Sequence, residues 1–158
     1  MILMKVEGSN KQNLAGIIHK NINRIRIFVD YNKLTVGGLT EINTIKRIVN
    51  ITASYFYNTL NVSRLSRLYF PKDTPKLCNA FTVPDEYVDN GTIGDIGVLC
   101  GNEANSSAVY VAKSTACAHL KSNNRPIWGM MMFNNAFLKF DQVGFQQILY
   151  VGVYILNY

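Results

Sequence analysis

The sequence predicts an α+β domain: a twisted mixed sheet packed by two main helices, about residues 40–60 and 141–156. Three observations carry that expectation. Residues Arg24 to Tyr31 alternate apolar and polar side chains, the period of a half-buried strand. Residues 40–60 repeat apolar side chains at steps of three and four, the period of an amphipathic helix. Short apolar and β-branched runs bounded by Gly, Asn or Pro then fill much of residues 93–133. The 158 residues, 48% hydrophobic and 16% charged, are enough to bury one core and too apolar for a disordered chain. No internal repeat or domain boundary is visible, so residues 21–158 read as one domain behind a loose, polar lead-in at residues 1–20.

Taken in order, the lead-in holds His19, isolated among Ile17, Ile18 and Lys20, and a lone histidine of this kind reads as structural. In the first strand Ile25, Ile27, Val29 and Tyr31 share one side. A turn-rich connection ends in Gly37-Gly38; Thr40 then offers an N-cap, with Glu41 in the first turn. The stripe Ile42, Ile45, Val49, Thr52 or Ala53, Phe56 and Leu60 should pack on the sheet, and Tyr55, Phe56 and Tyr57 read as core and rim. Asn61 to Phe70 alternates weakly and predicts a second strand stopped by Pro71. Phe81 to Tyr87 reads as extended, because Pro84 holds Val83 out of the helical region. Asp85, Glu86 and Asp89 have no neighbouring His or Cys, so a solvated turn is the reading rather than an acid–base pair.

Gly94, Gly97 and Gly101 are spaced by three and four, but the Lys and Ser/Thr of a phosphate loop do not follow. Val98-Leu99-Cys100 predicts a buried strand, and Ala108 to Ala112 is apolar and β-branched, leading on to Cys117. Pro126 to Phe133 predicts another strand, ended by Asn134-Asn135. The stretch Phe140 to Tyr158 carries no charge after Asp141, which suits a helix start. On that helix Tyr150 and Tyr154 are four apart and share a face.

The net charge of +6 is uneven: residues 1–72 carry +8, residues 73–103 carry −5 and residues 104–158 carry +3. The basic half lacks any nucleic-acid motif and reads as a solvated face, so no nucleic-acid partner is expected. No apolar run reaches the roughly 18 to 20 residues of a membrane span, and Met1 to Met4 is too short for a signal-peptide core. Cys78, Cys100 and Cys117 lack paired zinc or redox spacing; one disulfide with a free thiol, or three buried thiols, both remain open. Asn50, Asn61, Asn90 and Asn105 each begin an Asn-x-Ser/Thr triplet, which with the cysteines tilts towards a secretory history.

Six segments in this order resemble the leishmanolysin-type metallopeptidases, a branch of the metzincin zinc endopeptidases. Arg24 to Tyr31 resembles that family's opening Arg-Ile-x-Ile-x-x-Asp strand, and Leu60-Asn61-Val62 the end of the following helix. Cys78 with Val83-Pro84 resembles a Cys-x-x-x-x-Val-Pro segment, and Ala112 to Cys117 an Ala-x-x-Thr-x-Cys segment. Pro126 to Gly129 resembles a Pro-x-x-Gly strand, and Phe140-Asp141-Gln142 precedes the last helix as Tyr-Asp-Gln does in the family. The resemblance implies the family's N-terminal catalytic subdomain, a Cys78–Cys117 disulfide with Cys100 unpaired, a protein or peptide partner, and an extracellular or cell-surface setting. It also places Tyr150 at the first zinc-binding histidine, Val151 at the glutamate base and Tyr154 at the second histidine, with the third histidine downstream of Tyr158. Neutral tyrosine is a poor zinc ligand and valine cannot take a proton from water. The expectation is therefore a truncated, degenerate and catalytically inactive member that needs no cofactor, although the family uses zinc. The alternative is an active metalloendopeptidase whose ligands lie outside this chain. On its residues alone the terminal stretch also fits a buried apolar helix closing a core.

Overall fold

Alternation and periodicity settle most of the backbone. In a computed structural model of the chain, residues 23–72, 78 and 81–138 are described; the lead-in with His19, and the expected terminal helix with Tyr150, Val151 and Tyr154, lie outside the described residues. The elements are β1 (Ile27–Lys33), α1 (Leu39–Thr59), α2 (Asp85–Asp89), β2 (Ile96–Glu103), β3 (Ala112–His119) and β4 (Pro126–Asn134). The fold is α+β: a four-stranded mixed sheet of order β1-β2-β4-β3, with β1, β2 and β4 mutually parallel and β3 antiparallel to β4. The two described helices are the long α1 and the five-residue α2.

Because side chains alternate along a strand, each strand feeds two cores. Ile27, Val29 and Tyr31 of β1, Val98 and Cys100 of β2, and Met131 and Phe133 of β4 lie on the face covered by α1. Phe28, Leu99, Trp128, Met130 and Met132 lie on the other, covered by irregular chain carrying Leu68, Phe70, Cys78 and Phe81. Glycines on the second face are spacers. A Cβ at Gly97 would stand 2.4 Å from the Trp128 ring, and one at Gly101 would stand 3.1 Å from Phe81. Close ring-to-backbone approach is thus the reason for the glycine spacing.

Helix α1 buries Ile45, Ile48, Val49, Thr52 and Phe56. Leu60 leaves the stripe because it is the extended C-cap residue and is 39% exposed. The N-cap is Gly38 and not Thr40: the Glu41 carboxylate accepts the Gly38 N–H at 2.9 Å, half of a capping box. The first strand starts later than its alternation suggests. Arg24 makes one bridge to Asn61, and Arg26 turns its backbone N–H to Asp95 at 2.9 Å.

Residues 61–70 do not form the expected second strand. Their backbone is satisfied piecemeal, by one bridge at Asn61, one at Leu68 to Thr92, the Asp95 carboxylate at Leu65, and Tyr87 O at Phe70. Scattered partners such as these fix the chain without a ladder, and Leu68 and Phe70 anchor it on the sheet. The acidic segment also differs. Pro84 stays extended, but it serves as the N-cap of α2, where Asp85 and Glu86 sit in the first turn beside the positive end of the helix. Asp85, Glu86 and Asp89 are exposed there, on a short helix rather than in a turn.

Candidate functional site

The strand order leaves β3 at one margin of the sheet, and among the described residues no strand pairs with its outer side. A margin of this kind presents N–H and C=O groups that an extended chain can bond. Its sequence, Ala-Lys-Ser-Thr-Ala-Cys-Ala-His, carries small side chains with exposed Lys113, Ser114 and His119. Near its end the register slips. Ala116 faces Gly129 and Ala118 faces Trp128, so Cys117 is the extra residue of a bulge.

Cys117 is bonded there to Cys78, with α-carbons 5.8 Å apart and 39 residues between them in sequence. Both are buried, and the bond ties the margin strand to the irregular cover of the Trp128 face. Beside it opens a cleft of about 550 Å³, with an apolar wall of Phe70, Phe81, Val83 and Val88. Its rim carries Asp85 and the exposed Lys72–Asp89 pair, 3.6 Å apart. An exposed pair like this contributes little to stability.

The cover is held by a second, polar fixing. The Asp95 carboxylate is fully buried and takes the Arg26 guanidinium at 3.0 Å on each oxygen, the Arg26 N–H, and the Leu65 N–H at 2.8 Å. Burial alone would push this carboxyl up; the guanidinium and the two N–H donors outweigh it and hold it below its ordinary value. Burial, followed by the Asp30 and Glu86 charges and a hydrogen bond to Asp30, pushes the Tyr87 hydroxyl up to about 12. Cys100 is inaccessible, and burial with the Asp30 charge pushes its thiol up to about 12, so it is neutral and unreactive.

Of the residues singled out in the sequence, Cys78 and Cys117 are brought together. Asp85, Glu86 and Asp89 gather on α2, and Tyr150, Val151 and Tyr154 lie outside the described residues. Among the described residues no group of three or more His, Cys, Asp or Glu could hold a metal ion, and no helix is long and apolar enough to cross a membrane. Sequence reasoning passed over Asp95 and the marginal position of β3. For the latter the available signal was Lys113 amid small residues, a composition that suits a sheet margin. No family model matches the chain, and no curated protein matches it either.

Proposed function

We propose that this chain is a catalytically inactive homologue of the leishmanolysin-type zinc metalloendopeptidases that works as a protein- or peptide-binding module. The observation that carries the reading is the Cys78–Cys117 bond, which joins the two cysteines that the resemblance pairs. The mixed sheet with one antiparallel margin strand is compatible with a metzincin-like subdomain. The donor chemistry does not fit zinc: Tyr150 and Tyr154 offer neutral phenols and Val151 offers no base. No hydrolytic step is therefore assigned to these residues. What is left is binding, and the outer side of β3, with which no described strand pairs, suits an extended peptide that adds a strand.

The test is zinc content and peptidase activity on the purified full chain, with casein and a quenched peptide as substrates. Neither cleavage nor stoichiometric zinc is expected. The triple variant Tyr150→His, Val151→Glu, Tyr154→His should gain at most weak zinc affinity and still fail to cleave. Cleavage by the unmodified chain that a chelator stops would replace this reading with that of an active metalloendopeptidase. Extended peptides should bind, and the binding should survive chelator.

A further inference from the structure

The four Asn-x-Ser/Thr triplets all begin with exposed asparagines, whereas the buried Asn102 and Asn134 begin none. They differ in what the fold does with the hydroxyl two residues on. Asn50-Ile51-Thr52 lies inside α1; Thr52 is buried and its hydroxyl donates to the Ile48 carbonyl at 3.1 Å. The Asn50 side-chain oxygen meanwhile accepts the Tyr31 hydroxyl at 2.8 Å. Asn105-Ser106-Ser107 is the opposite case. All three residues are exposed just beyond β2, and the Asn105 side-chain oxygen accepts the Ser107 N–H at 3.0 Å, closing an Asx turn. Asn134 pins that turn from beneath, accepting the Asn105 N–H at 3.0 Å and donating to its carbonyl at 2.8 Å. The backbone is thereby fixed, while Asn105 Nδ2 donates to no described residue.

We propose that Asn105 is an acceptor of N-linked glycan and that Asn50 is not. The Cys78–Cys117 bond is of the kind that forms and persists in oxidising compartments, where such transfer takes place. Both the Asx turn and the helical Thr52 hydrogen bond are local, spanning two and four residues. The donor is an oligosaccharide on a lipid diphosphate. Asn105 Nδ2 attacks its anomeric carbon, and the N–C bond forms as the C–O bond to diphosphate breaks. The diphosphate leaves with the electron pair, and the amide gives one proton to a base of the transferring enzyme.

The experiment places the full chain behind a cleavable secretion leader in a eukaryotic host. Peptide-N-glycosidase in heavy-oxygen water then marks each glycosylated Asn as labelled Asp, and peptide mass spectrometry locates it. Asn105 should carry the label in most secreted copies and Asn50 in few. Ser107→Ala keeps the bonds between Asn105 and Asn134 and should abolish the label at Asn105; Asn105→Gln should remove the same glycan mass from the intact chain. Secreted, disulfide-bonded protein without label at Asn105 overturns the proposal. So does a label that persists in Ser107→Ala, or an Asn50 labelled as heavily as Asn105.

Discussion

The two faces of the sheet share the same strands and are closed by different means. Over one lies α1, whose Ile45, Ile48 and Val49 meet Val98, Cys100, Met131 and Phe133. A helix satisfies most of its own backbone, so this face is closed mainly by side-chain packing, with one polar tie from the Tyr31 hydroxyl to Asn50 of α1 at 2.8 Å. Over the other lies irregular chain, which arrives with backbone groups that must be paired. That face is built round Trp128, with Phe28 and Phe70 edge-on at 6.1 and 5.1 Å and Tyr87 stacked at 5.9 Å. The Trp128 N–H donates to the Tyr69 carbonyl at 2.9 Å, Asp95 takes Leu65, and Cys78 is bonded to Cys117. The difference teaches that a loop-covered core needs backbone-directed polar and covalent fixings where a helix-covered one is closed mainly by packing.

The largest expected effect is on the ring that organises the loop face. Trp128→Ala removes a side chain of zero exposure and leaves the Tyr69 carbonyl unpaired. It should destabilise by about 3–5 kcal/mol, read from the midpoint of a urea titration. A loss below about 1 kcal/mol would show that the loops close over a cavity at little cost and would break the comparison.

Next comes the disulfide. Replacing both Cys78 and Cys117 by Ala opens a loop spanning 39 residues and should cost roughly 3–4 kcal/mol in the chain-entropy account. Hydrogen exchange sharpens the point: amides of β3 and of residues 81–92 should lose protection well before those of α1. Earlier or equal loss in α1 would mean that the bond serves the whole domain and not one face.

These two faces were unequally legible in the sequence. The helix face follows from period alone, because Ile45, Val49 and Phe56 repeat at helical spacing and Ile27, Val29 and Tyr31 alternate. The loop face depends on contacts between distant residues. Asp95 lies 30 residues from Leu65 and 69 from Arg26, and the rings for which Gly97 and Gly101 make room are Trp128 and Phe81. No local pattern announces such partners, and the apparent strand at 61–70 was an alternation that, among the described residues, makes only the isolated bridges at Asn61 and Leu68. Strand order is likewise a tertiary choice, so the marginal place of β3 left only the faint signal of Lys113 amid small residues. The cysteine pairing followed from the resemblance, not from spacing, and Tyr150, Val151 and Tyr154 lie outside the described residues.

A smaller effect is expected at the polar fixing. Asp95→Asn keeps the shape but removes the charge that Arg26 faces, and should cost about 2 kcal/mol. The carboxyl lies below its ordinary value in the folded chain. Its contribution is therefore complete above the unfolded value near 4 and decays as the pH falls from there to the lower folded one. Urea midpoints of the parent chain should drop across that acid range, and Asp95→Asn should flatten the drop. An unchanged acid profile would show that Asp95 gains nothing from its partners.

The smallest effect sets one cysteine against the other two. Cys100 belongs to the helix face, has zero exposure and has no sulfur partner. Its sulfur acts there as a small apolar group, so Cys100→Ala should cost only about 1 kcal/mol, well under the loss from opening the disulfide. Because only thiolate reacts and burial keeps this thiol protonated far above pH 8, an alkylating reagent at that pH should leave the native chain unlabelled. In denaturant without reductant one thiol should react, and after reduction all three cysteines should. Rapid labelling of the native chain would mean that the helix face opens readily, and three thiols reacting without reductant would remove the covalent staple from the loop face. Either result would erase the contrast between the two faces.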